Sequence, residues 1–137
     1  MVITEYLEVE TAGHTDVINL TEQVQEKLNS VQMKNGVVVL SVVGSTASLT
    51  TCEFEPGLVQ DIKDIFESLV PEGEYCHDQA WGDGNAHAHL RSSLVGTSLT
   101  IPFTEKELIL GTWQQIILID FDNRVRQREI VLQFMGE

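Results

Sequence analysis

T-S-L-T-I-P-F (97–103), K-E-L-I-L-G (106–111), Q-Q-I-I-L-I-D-F-D (114–122) and V-R-Q-R-E-I-V-L-Q-F-M (125–135) follow one another almost without interruption. Each run is a strand candidate, the first and the last two rich in β-branched and aromatic residues. Four strands in succession, with no helical segment between them, argue for an α+β protein and against a doubly wound sheet, in which strands and helices alternate. Working upstream, residues 85–95 predict a short helix ended by Gly96, and 74–84 a loop. Leu58, Ile62, Ile65, Phe66 and Leu69 recur at helical spacing after Pro56, which suits a first helical turn. Val37–Val43 is a nearly continuous apolar run bounded by glycines and predicts a buried strand, with Thr46–Glu53 the next. Val24, Leu28 and Val31 predict a helix behind Thr21 as N-cap, and residues 2–11 alternate as a strand, with 13–19 continuing the sheet after a turn. The chain reads as one compact α+β domain over residues 1–137, mostly antiparallel sheet or sandwich, with roughly seven or eight strands and about three helices.

Composition bounds the partners. Eight basic residues face 21 acidic ones, for a net charge of −13. So few cations argue against a nucleic-acid partner, whose phosphates must be neutralised. A small phosphorylated ligand would need a divalent cation to offset this background. Arg124, Arg126 and Arg128 form the only basic cluster; they alternate, so on a strand they share one face. That face reads as a solvated surface, an anion-binding edge or an inter-subunit contact. No apolar run approaches the roughly 20 residues of a membrane span, so no membrane partner is expected. The amino terminus lacks the features of a signal peptide. Cys52 and Cys76 are far apart with no C-x-x-C, which predicts reduced thiols and a cytoplasmic protein.

The chemistry concentrates in W-G-D-G-N-A-H-A-H-L-R-S-S, residues 81–93, with His77 just upstream. On a helix, His87 and His89 project 200° apart, at 100° per residue, so both cannot easily hold one ion inside a regular helix. His89 shares its flank with Asn85 and Ser93. Asp83 reads either as an N-cap or, between Gly82 and Gly84, as part of a loop whose N–H groups bind an anion. His77 and His87 read as ordinary histidines or as ligands. Glu53 reads as a base or metal ligand, or as a lead into the next helix, and Trp113 as a core or interface aromatic. His14 is assigned no role.

Several of these segments resemble the YjbQ-like family. D-G-N-A-H-A-H-L-R-S-S-L-V-G-T-S-L-T-I-P (83–102) is similar to its D-x-N-A-x-A-H helix followed by a G-x-S-L-T-[IV]-P strand. L-I-L-G-T-W-Q-Q-I (108–116) is similar to L-x-L-G-T-W-Q-x-I, S-T-A-S-L-T-T-C-E (45–53) to T-T-A-A-L-T-x-N-E, and the terminal V-L-Q-F-M-G-E also fits. The resemblance spans nearly the whole chain in four ordered motifs. It implies a compact α+β fold, a homotrimer and, by likeness to some members, a secondary thiamine-phosphate synthase activity. Glu53, Asp83, Asn85, His89, Thr112, Trp113 and Gln114 match the pattern, and His77 matches a histidine often found before D-x-N-A. Many members have P-H-T-T-A where this chain has V-G-S-T-A; the histidine falls at Gly44, and His87 is the candidate substitute.

Three functions follow as expectations. The first is thiamine-phosphate-synthase-like transfer, in which a pyrimidine diphosphate loses pyrophosphate and a thiazole phosphate nitrogen attacks the exposed methylene. Glu53, Asp83, Asn85 and His89 form its catalytic set, and Ser45, Thr46, Gly82, Gly84, Arg91 and Gln114 meet substrate and phosphate. The second is metal-dependent hydrolysis of a small metabolite, with Mg or Zn held by His77, His87 and His89. The third is a non-catalytic trimeric ligand-binding protein.

Overall fold

The computed structural model describes residues Met1–Glu137. Its elements are β1 (Val2–Thr11), β2 (Asp16–Asn19), α1 (Thr21–Ser30), β3 (Gly36–Val42), β4 (Ala47–Cys52), α2 (Pro56–Leu69), α3 (Cys76–Trp81), α4 (Ala86–Val95), β5 (Ser98–Thr104), β6 (Glu107–Leu108), β7 (Gln115–Asp120) and β8 (Arg126–Gly136). All four closing strands form, although the 106–111 run is strand only over the two residues of β6, and they divide between two sheets. One has the order β1-β8-β3-β5-β6 and the other β2-β7-β4, and every pairing is antiparallel. The fold is α+β and mostly antiparallel. No helix is long and apolar enough to cross a membrane.

Strand alternation builds the core. Leu7 and Val9 of β1, Val38, Leu40 and Val42 of β3, Ile101 and Phe103 of β5, and Ile130, Leu132 and Phe134 of β8 face inward from the larger sheet. Ala47 and Leu49 of β4 and Ile116 and Leu118 of β7 meet them from the smaller one, and Leu20, Val24 and Leu28 bring α1 into the same cluster. The opposite face of β7 is buried as well. Ile117 and Ile119 pack with Val17, Ala88 and Phe121, covered by Val59, Ile62 and Phe66 around α2 and Val95 of α4. The protein is therefore layered as large sheet, small sheet, then helices α2 and α4.

Four local expectations are revised. There are four helices and not three, because the 74–84 segment contains α3. Six residues are too few to display a period, and Tyr75 caps α3 without a side-chain bond. Thr21 is the first helical residue of α1 and not its N-cap; its hydroxyl accepts from Ile116 N at 2.9 Å and donates to Asn19 Oδ1 at 2.7 Å, tying the helix start to β7. Asp83 does not cap α4. Asn85 occupies the cap position, and Asp78 Oδ1 accepts from Ala86 N at 3.0 Å. The Val37–Val43 run is buried on one face only: Val38, Leu40 and Val42 lie in the core, while Val37 and Val39 are half-buried and Val43 is exposed. The outer face of the large sheet is uncovered and carries the exposed Val2, Tyr6 and Met135.

Candidate functional site

The inward rows of the sandwich change character at one end. In β8 the parity that buries Phe134, Leu132 and Ile130 continues to Arg128 and Arg126. In β7 the row Ile116, Leu118 continues to Asp120, with Asp122 next along the chain, and in β1 the row Leu7, Val9 continues to Thr11. These residues satisfy one another. Arg128 grips Asp120 through Nε (2.7 Å) and Nη2 (2.9 Å), and Nη2 also donates to Thr46 Oγ1 at 2.6 Å. Thr11 Oγ1 donates to Asp120 Oδ2 at 2.6 Å, and Thr46 Oγ1 to Asp122 Oδ2 at 2.9 Å. Arg126 Nε donates to the same Asp122 oxygen at 2.9 Å. Charged groups in a low-dielectric interior need such complete pairing. Burial works against charge on Asp122. The hydrogen bonds from Thr46, Asn123 N, Arg126 and Asn85 outweigh it and hold its carboxyl down at about 2.

Asp122 links this buried network to a surface cleft. A concavity of about 250 Å³ is lined by Asp83, Asn85, Asn123, Arg124 and Arg126. Asn85 is 6% exposed. Its Nδ2 points at Asp122 Oδ1, 3.4 Å away, while its Oδ1 is buried with no partner. Asn123 Nδ2 donates to the Asp83 carbonyl at 2.9 Å, closing the loop before α4 onto the loop after β7. The turn between β1 and β2 backs the cleft. Gly13, His14 and Thr15 are consecutively left-handed, at φ 75°, 56° and 60°, which is strained for a β-branched threonine. A Cβ on Gly13 would lie 2.6 Å from Asp122 O and 2.7 Å from Arg124 O, so only glycine fits.

The histidines of the α3–α4 region separate as helical projection requires. The rings of His77 and His89 lie 4.8 Å apart, tilted by 51°, in a hollow with Tyr75, Cys76, Ala86 and Leu90. His87 is 1% exposed and turns its Nε2 towards Glu72 Oε1 at 3.4 Å. Burial, joined by Arg91, lowers its pKa against the opposing pull of Glu72 and Glu67.

The remaining sequence candidates sit elsewhere. Arg91 is buried and braces α2 and the β1–β2 turn, donating to Val70 O, Thr15 Oγ1 and Glu67 Oε2 at 2.9, 3.2 and 3.1 Å. Thr46 belongs to the buried network, and Ser45 beside it is exposed. Gly82 and Gly84 are left-handed turn residues flanking Asp83. Glu53 lies just past the far end of β4, roughly 20 Å along the strand from Thr46 at about 3.3 Å per residue. Gln114 is at that same end, bonded to Thr51 Oγ1 and Gly111 N at 3.1 and 2.9 Å, and Trp113 there is exposed. Gly44 is near Arg128: a side chain begun there would start 2.8 Å from Arg128 Nη1. No three His, Cys, Asp or Glu side chains of the chain stand together as a ready metal cage. Asp120, Asp122, Asn123 and the inward turn of Arg126 and Arg128 escaped the residue-type reading. The signal was the shared parity with Ile130, Leu132 and Phe134.

Comparison with known proteins gives a consistent result. The family described as "UPF0047 protein YjbQ-like" matches residues 5–137. A UPF0047 protein of Archaeoglobus fulgidus is 38% identical over 126 residues, covering 91% of this chain and 96% of the relative. UPF0047 protein YugU of Bacillus subtilis is 30% identical over 95% of this chain and 97% of its own. Among solved structures, a YbjQ-like protein of unknown function from Sulfolobus solfataricus superposes with a TM-score of 0.94 at 31% identity, covering 100% of this chain and 99% of that one. A hypothetical protein from Aeropyrum pernix reaches 0.91 at 36% identity, over 98% of this chain and 99% of that one.

Proposed function

The chain belongs to the UPF0047 YjbQ-like family, and on that premise we propose that it binds a small phosphorylated heterocycle in the Arg124–Arg126 cleft for thiamine-phosphate-synthase-like transfer. The observation that carries this reading is Asn85 Oδ1, a buried acceptor without a partner, beside Arg124, an exposed guanidinium that makes no ion pair within the chain. Orphaned buried acceptors are rare in folded proteins, and a ligand donor is one way of satisfying them. The cleft carries both signs. Arg124 and Arg126 suit a phosphate, and Asp83 suits the cationic ring of a thiazolium or protonated aminopyrimidine. Asn85 suits an exocyclic N–H. In this reading the residues position the phosphate and stabilise positive charge on the reacting carbon.

The reaction class calls for a divalent cation on pyrophosphate. The acidic groups near the cleft do not form a cage for a hard cation such as Mg²⁺. The test is calorimetric titration with the thiazole phosphate and the pyrimidine diphosphate separately, then incubation with both and Mg²⁺. Binding of either that weakens tenfold or more in Arg124→Ala, together with product formation, supports the proposal. Unchanged affinity in that variant sinks the assigned cleft, and binding without product sinks the transfer.

A homotrimer, implied by the family resemblance, is supported by the uncovered outer face of the large sheet, where Val2, Tyr6 and Met135 are exposed among polar residues such as Thr4 and Glu8. Sedimentation equilibrium tests it. Both cysteines are free thiols, which suits a reducing, cytoplasmic setting.

A further inference from the structure

His77 and His89 stand outside the phosphate cleft, and nothing in the proposed transfer uses them. We propose that they form a two-imidazole site for a borderline transition-metal ion of the Zn²⁺ class, with its remaining coordination positions open. With Zn–N bonds of about 2.0–2.1 Å and N–Zn–N angles of roughly 90–110°, two ligating imidazole centroids fall about 4.5–5.2 Å apart. The observed separation is 4.8 Å. The tilt of 51° leaves the rings neither stacked face to face nor edge-on.

Three further features fit. The only protein partner of the His77 ring is Asp78 Oδ1, 3.4 Å from Nδ1; a carboxylate on one imidazole nitrogen orients the other towards a metal. Asp78 is itself fixed, because the same oxygen accepts from Ala86 N at 3.0 Å. Finally, the hollow of about 300 Å³ has apolar walls, Tyr75, Ala86 and Leu90, with the two imidazoles and Cys76 as its other lining residues. Imidazole in an apolar hollow favours Zn²⁺, Ni²⁺ or Cu²⁺ over Mg²⁺ or Ca²⁺, which require oxygen donors. His87 is excluded because its ring is turned towards Glu72. A site with two protein ligands leaves two or more tetrahedral positions for water or a ligand donor, one more than the three-ligand catalytic zinc sites keep open.

Titration of the metal-free chain with Zn²⁺ tests this, read by calorimetry with His77→Ala, His89→Ala, His87→Gln and Asp78→Asn in parallel. The expected result is one Zn²⁺ per chain with micromolar affinity. His77→Ala and His89→Ala each raise Kd at least tenfold, Asp78→Asn raises it several-fold, and His87→Gln leaves it unchanged. Mg²⁺ at millimolar concentration does not compete. Both histidines are partly solvent-exposed, and unchanged circular dichroism confirms that their alanine variants are folded. The proposal is overturned if no saturable binding occurs below a millimolar, or if the His77→Ala/His89→Ala double variant binds like the parent. It also fails if only His87→Gln or a Cys76→Ser variant removes the ion. None of these outcomes depends on phosphate binding at Arg124.

Discussion

Arg128→Met is the most informative perturbation of the polar end. Arg128 is 6% exposed. It holds Asp120 through two bonds of 2.7 and 2.9 Å and lies 3.7 Å from Asp122. Both aspartate side chains are completely buried. Methionine keeps most of the packing volume but leaves Asp120 charged without its cation, and breaking a buried pair from one side costs about 3–5 kcal/mol. Asp120 keeps the hydroxyl of Thr11 and the N–H of Asp122, and Asp122 keeps Arg126, so the lower part of that range applies, ~3 kcal/mol at pH 7. With a urea slope of about 2 kcal/mol per molar, the midpoint falls by ~1.5 M. Adding Asp120→Asn removes the stranded charge and restores part of the loss, so the double variant is more stable than the sum of the singles implies. The assay is equilibrium urea unfolding by circular dichroism at fixed protein concentration, which matters if subunits associate. A loss below about 1 kcal/mol, the worth of an exposed ion pair, or strict additivity in the double variant refutes the reasoning.

Asp122 folds with its carboxyl near 2 against an ordinary 3.8. The stability it contributes is therefore complete above about pH 4 and is lost as the pH falls towards 2, on the order of 2 kcal/mol; acid titration of Asp122→Asn, monitored by circular dichroism, should lack this portion. His87 has a lowered pKa, so the unfolded chain binds its proton more tightly and stability declines as the pH falls through about 6.5; His87→Gln should flatten urea midpoints between pH 7.5 and 5.5, and an unchanged slope contradicts the burial argument. Gly13→Ala forces a side chain against Asp122 O and Arg124 O and should lower the melting temperature by several degrees, about 1–3 kcal/mol, while weakening phosphate binding. Because the chain carries −13, association with a dianionic phosphate should accelerate between about 10 and 150 mM salt as long-range repulsion is screened; stopped-flow rates that fall with salt would falsify this.

Much of the fold was legible because it rests on periodicity. The four closing strands, α2 behind Pro56 and the Asn85–Val95 helix all appear where apolar spacing places them, and their ends are set by Gly, Pro or capping residues. The large-sheet and small-sheet partition was not legible. Antiparallel neighbours such as β1 and β8 pair residues 115 (Thr11 with Arg126) to 133 (Val2 with Met135) positions apart in sequence, and no local pattern encodes that pairing. α3 was hidden by its length, and the cap of α4 by coming from Asp78, outside the helix it serves. For the candidate site, helical projection separated His87 from His89, but only the fold could bring His77 to His89 across α3 and α4. Glu53 and Gln114 share motifs with the other candidates in sequence, yet β4 and its partner β7 carry them to the opposite end from Thr46.

The arginines show why residue type without parity misleads. Arg126 and Arg128 alternate, and on an outer face that pattern would mean solvated charge. They stand in the same register as Ile130, Leu132 and Phe134, so they face inward, and the acids that meet them come from the inward register of β7. On stability grounds this pairing is weakly motivated, since apolar residues of similar volume often serve as well. Its geometric consequence is different. Asp122 holds Asn85 Nδ2 at 3.4 Å with one oxygen and Arg126 Nε at 2.9 Å with the other, so one buried carboxylate sets the orientation of two cleft residues. With Nδ2 engaged, Asn85 is left with a free carbonyl oxygen, and with Arg126 engaged, Arg124 is the one arginine not spent on an acid of its own chain. The buried charges thus position the cleft, and a change that repacks them with hydrocarbon keeps the fold while releasing Asn85 and Arg126 from their fixed directions.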